Sequence, residues 1–98
     1  MTTSAAAALR LPSELTHRQA TACLAQLLQS VGGAAPGSAL VVDAAPLRVF
    51  DTSALAVLLA CRRAALEAGK QLIVSGLPKG LQSMAVLYGV DGLLLPQV

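Results

Sequence analysis

The chain has 98 residues, 55% of them apolar, 2% aromatic and 12% charged, with a net charge of +2. A chain of about 100 residues holds one domain with one core, so a multidomain enzyme with a deep interdomain cleft is excluded. The few basic residues form no cluster beyond Arg62–Arg63 and have no aromatic platform beside them, which excludes nucleic acid as an evident partner.

The first five residues carry no periodic pattern and are expected to be flexible. A β-prone segment, 6–11, ends at Pro12. Thr16 is placed to cap a first helix, along which Leu24, Leu27, Leu28 and Val31 recur at helical spacing, and Gly32–Gly33 should stop it. "ALVVDA", residues 39–44, is a continuous apolar run of the kind found in a strand buried on both faces, and "APLRVF" connects it onward. A second helix follows over 52–68, ended by Gly69. On a helical wheel Leu55, Leu58, Leu59 and Leu66 share one apolar arc. Arg63 and Glu67 lie opposite as an ion pair, with Ala56 and Ala60 forming a side-chain-poor strip nearer the helix start. "KQLIVSG", 70–76, reads as a second buried strand. A third helix has Pro78 in its first turn, Gly89 past its end, and Leu81, Met84, Ala85 and Tyr88 along one face. "VDGLLLPQV" should be an extended tail. This alternation predicts one α/β domain built on a single small sheet with about three helices packed against it.

Catalytic constellations are missing from the pattern. His17 is the single histidine, placed in the first turn of the first helix, and no two acids have a spacing suited to shared acid–base work. "GLPKG" has neither the spacing nor the context of a phosphate loop. Cys23 and Cys61 lack metal-ligand spacing and read as reduced core or interface thiols of a cytoplasmic protein. The chain is therefore read as non-enzymatic, without metal or cofactor. No signal peptide is evident, and no apolar run reaches the 18 residues or so that a spanning helix needs, so direct membrane insertion is not expected.

What stands out is "DTSALAVLL", residues 51–59. One acid suffices to cap a helix, a role worth about 1 kcal/mol. Here Asp51 is followed by two hydroxyls, Thr52 and Ser53. A hydroxyl at a helix start sits beside backbone donors, in a field that tolerates an added phosphate. Asp51 is thus assigned the cap, Thr52 and Ser53 the partner-binding or phospho-acceptor role, and Ala56, Ala60 and Arg63 the partner-facing helix surface. The alanine strip has two readings: helix propensity alone, or a flat seat for another protein's helix. The wheel does not choose between them; separately, a surface this poor in charge suggests that some part of it is covered by a partner.

The succession "LVVDAAPLRVF", "DTSALAVLL", helix, Gly69, "QLIVSGLP" resembles the STAS domain, whose hallmark is an Asp-Ser/Thr stretch at a helix start. "FDTSALAVLL" together with "LYGVDGLLLP" is most similar to the MlaB-like branch. The resemblance spans nearly the whole chain and implies a STAS-like domain with a small mixed sheet. It also implies a non-enzymatic subunit on the cytoplasmic side of the inner membrane. There such subunits bind the ATPase of an Mla-type phospholipid-transport ABC complex and, through it, a membrane permease, supporting lipid asymmetry. Thr52 matches the family's key hydroxyl and Asp51 the acid before it. Ser53 stands where the MlaB-like branch often has Gly and where anti-sigma factor antagonists have Ser or Thr. That leaves open an alternative partner, an anti-sigma kinase that phosphorylates the site. Ala54 occupies a place where Gly is usual. The N-terminal segment is shorter than in many relatives, so the first strand is expected to be reduced or missing.

Overall fold

The computed structural model describes residues 6–94, the side chains of 6–8 excepted. The expected flexibility of residues 1–5 and the end of the expected tail, 95–98, lie outside the described residues. Three strands form the main sheet in the order β1 (Ala6–Arg10), β3 (Ala39–Asp43), β5 (Gln71–Ser75), and both pairings are parallel over five residues. The mixed sheet of the sequence reading is therefore parallel among the described residues, because helices α1 (Ala20–Gly33) and α2 (Thr52–Glu67) carry the chain back between successive strands. Nor is the first strand missing: β1 pairs with β3 along its full length.

The strands are covered unevenly. Leu40 and Val42 of β3 are fully buried, whereas Ala39, Val41 and Asp43 on the opposite face are only half-buried. In β5 Val74 is buried, while Gln71 and Ile73 are exposed. The reading of both as strands buried on both faces is corrected accordingly. An apolar run records composition but not which face receives a helix. Here α2 packs against β5 and α1 against α2. The core between helices and sheet is built from Leu27, Val31, Leu40, Val42, Leu58, Cys61 and Leu81, among others, without a fully buried aromatic.

α1 begins later than expected. Thr16 does not cap it; the first helical residue is Ala20, and Gln19 stands at the cap. Instead Thr16 organises the preceding turn: its amide and hydroxyl donate to Gln19 Oε1 at 2.9 and 2.8 Å, and its carbonyl accepts from the Gln19 N–H at 3.0 Å. His17 lies in that turn rather than in the helix. At the other end α1 runs through both glycines, and its last carbonyls find partners beyond the helix. Val31 O accepts from the Ala34 N–H and from Lys70 Nζ. Lys70 is 8% exposed and is the one buried charged residue among those described, so its ammonium sits at the negative end of the α1 dipole and ties it to the start of β5.

α2 ends as read. Ala68 is its C-cap and Gly69 adopts φ +73°, a conformation costly for any residue with a Cβ. Gly76, after β5, has φ +70°, and a Cβ there would meet Ala45 Cβ at 3.0 Å, so two loops close on one another at that point. α3 (Lys79–Leu87) buries Leu81 and Ala85, but Tyr88 is 57% exposed and does not join the core face. The expected extended tail is a short helix over its first part, α4 (Asp91–Leu94), which turns Leu94 into the core. Leu66 is 49% exposed rather than part of the buried arc of α2, where Cys61 and Ala65 take the core positions. Arg63 and Glu67 form no ion pair; both are exposed, where ordering two long side chains gains little.

Lys70→Met tests the Lys70 staple. Losing a buried hydrogen bond from a charged donor should lower stability by about 1–3 kcal/mol in denaturant melts. An unchanged melting curve would show that the ammonium contributes nothing there.

Candidate functional site

The start of α2 is held by a zipper of two loops. Ser13 O accepts from the backbone N–H groups of Arg48 and Val49 at 2.8 and 3.0 Å. Next, β2 (Glu14–Leu15) pairs in parallel with β4 (Val49–Phe50), a contact the sequence reading had as plain connector. The zipper ends at Asp51. One carboxylate oxygen, Oδ2, accepts from the His17 N–H at 3.1 Å and lies 3.3 Å from His17 Nδ1. The other, Oδ1, accepts from the Ser53 N–H at 2.8 Å. Asp51 has the extended backbone of an N-cap, φ −134° and ψ −166°, and its carbonyl receives the first helical bond, from Ala54 N–H at 3.0 Å. The cap expected of Asp51 is present, and it also fastens the loop before α1 to the start of α2.

Partial burial pushes the Asp51 carboxyl up, but hydrogen bonds from the backbone and side chains of His17 and Ser53 outweigh it and hold the group below the usual carboxylate range. The ionised form is therefore the one that grips both loops. A group so lowered adds stability above its ordinary pKa and loses it as pH falls through the folded-state value. Burial raises the thiol of Cys23; burial and then the neighbouring Cys23 push Cys61 up to about 11. Both thiols stay protonated and unreactive near neutral pH, consistent with core residues.

The two hydroxyls are not equivalent. Thr52 is exposed, and its hydroxyl has no hydrogen bond to any described residue. Ser53 is half-buried, and its amide donates to the Asp51 carboxylate. Beside Thr52 lies a groove of about 330 Å³ whose other walls are Leu55, Ala56, Leu59, Tyr88 and Val90. Ala56 is exposed in it, but Ala60 is half-buried and lines neither this groove nor the next. Arg63 lines a neighbouring recess of about 360 Å³ with Arg62, Leu59, Leu66, Glu67 and Leu93. Leu59 belongs to both, so an apolar flank continues from Thr52 along α2 toward Glu67. Leu87, 78% exposed, adds to the apolar surface at the end of α3.

Residues absent from the sequence-based site are Leu55, Leu59, Tyr88 and Val90, which the groove adds, and His17, which Asp51 holds. "LYGV", residues 87–90, carried the signal for Tyr88 and Val90, although the sequence reading sets Tyr88 only along one face of the third helix. Among the described residues no cluster of His, Cys, Asp and Glu could hold a metal ion, and no helix is long and apolar enough to cross a membrane. The chain matches the family model described as "Mlab, STAS domain" over residues 1–96. No curated protein matches it.

Asp51→Asn keeps an oxygen for capping but removes the titrating charge. The stability gap between parent and variant should be full at neutral pH and shrink as pH drops below about 4, through the carboxylate range. Thermal melts across pH check this; a gap that is constant down to strong acid would contradict the bridging role of the ionised carboxylate.

Proposed function

Because the chain belongs to the MlaB-like STAS family, we propose that it is a non-enzymatic STAS subunit that binds the cytoplasmic ATPase of an Mla-type phospholipid-transport ABC complex. In this reading it supports the assembly or activity of that complex in maintaining lipid asymmetry, and it reaches the inner membrane through the ATPase and its permease. The observation that carries the proposal is the exposed, unbonded Thr52 on a rigidly capped helix start, directly beside the apolar groove of Leu55, Ala56, Leu59, Tyr88 and Val90. A polar point next to an unfilled apolar recess is the pattern of a docking centre: the recess supplies desolvated area and the hydroxyl fixes register. Ser53 supports the site through Asp51, and Arg63 extends it along α2.

Co-expression with the ATPase and permease of such a complex, followed by affinity purification, tests the reading. The chain should co-purify with them, and Thr52→Glu should weaken binding by about 30-fold or more while leaving the thermal midpoint within a few degrees. If Thr52→Glu binds as tightly as the parent, the contact lies elsewhere; if the parent binds no ABC ATPase, the assignment fails.

A second reading, an anti-sigma factor antagonist switched by phosphorylation, draws on the same exposed Thr52 hydroxyl. Incubation with a cognate kinase and ATP would then add the mass of one phosphate at Thr52, whereas the half-buried Ser53 would stay unmodified.

A further inference from the structure

A third recess shares no residue with the α2 groove or with its neighbour. It is a cleft of about 430 Å³ between the carboxyl end of β1 and the first turns of α1. Its floor is apolar: Leu11, Cys23 and Leu27 are all buried. On its rim stand two exposed arginines, Arg10 and Arg18, with Gln26 as a further polar group.

The charges of this cleft are incompletely used. Arg10 reaches Asp43 only through Nε, at 3.9 Å from Oδ2, and its terminal amino groups have no hydrogen-bond partner among the described residues. Asp43 is itself engaged, since its Oδ1 accepts from the Ala45 N–H at 3.0 Å. The Arg18 side chain has neither a hydrogen bond nor an ion pair to any described residue. The first turn of α1 contains no acid that could neutralise either arginine. Two guanidinium groups over an apolar floor, with one carboxylate at the edge, leave an excess of positive charge facing a recess of ligand size, about 300 to 1,000 Å³ in known sites.

We propose that this cleft binds a small amphiphilic anion, an alkyl chain ending in a phosphate or carboxylate. The forked donors of Arg10 and Arg18 match the planar or tetrahedral oxygens of such a headgroup. The chain lies against the exposed Pro12 and Ala22, over the buried floor of Leu11, Cys23 and Leu27. The site is independent of the docking surface on α2, so the two proposals stand or fall separately.

The test is an NMR titration of the full chain with hexyl phosphate, hexanoate, inorganic phosphate and hexanol. Hexyl phosphate or hexanoate should produce saturable shifts in the backbone amides of Arg18, Cys23 and Gln26, and which of the two does so identifies the headgroup. Inorganic phosphate and hexanol should bind about tenfold more weakly or worse, because each lacks one half of the match. The double variant Arg10→Gln/Arg18→Gln should lose affinity about tenfold while melting like the parent, since both side chains are exposed. Thr52→Glu should bind as the parent does. Saturation by neither amphiphile, equal binding of inorganic phosphate, or full affinity in the folded double variant would each overturn the proposal.

Discussion

The Asp51 carboxylate has two oxygens, and the fold uses them in different places. Oδ1 caps α2 through the Ser53 N–H, and Oδ2 holds the His17 N–H of a loop 34 residues earlier in the chain. Helix capping alone is a local device. Joined to the β2–β4 pairing and the Ser13 carbonyl, it becomes a tether that fixes where α2 begins relative to the turn before α1. Thr52 follows immediately, so its exposed position is set by backbone and carboxylate contacts rather than by contacts of its own. The docking role proposed for Thr52 would gain from such an arrangement, because little ordering would remain to be done when a partner arrives.

The same economy governs the rest of the molecule. With two aromatic residues in the chain and neither fully buried, the core depends on Leu, Val, Ala and Cys side chains packed between the helices and one face of a three-stranded sheet. Larger apolar groups are spent outside: Tyr88, Leu87, Leu66 and Leu93 are all substantially exposed, on or near the flank that leads away from Thr52. A surface poor in charge and interrupted by leucines gains from being covered, and the groove beside Thr52 sets an apolar recess next to a polar anchor.

Much of this was legible from the residues. The strands at 39–44 and 70–76, the helix beginning at Thr52, its end at Gly69 and the cap at Asp51 all follow from local pattern and chemistry. What escaped was long-range. The β2–β4 ladder is two residues long on each side, too short for any periodicity, and it exists because Ser13 and Val49 are brought together by the fold. Thr16 looks like a helix cap by type, yet its hydroxyl and amide are satisfied by Gln19 in the turn before the helix. Tyr88 sits at helical spacing from Leu81 and Ala85, but it falls on the C-cap of α3, where the chain turns away from the core. Burial on both faces was inferred for β3 and β5 because Val41 and Ile73 are apolar, and apolar type does not report whether a second layer exists.

The central claim is that the tethered start of α2, with Thr52 and the groove beside it, is the surface that meets a partner. Hydrogen–deuterium exchange of the chain alone and in the presence of the proposed ABC ATPase partner tests it most directly. Added protection should concentrate in residues 52–59 and 88–90. Protection confined to the open sheet face around Val41 and Ile73, with exchange at the α2 start unchanged, would contradict the claim.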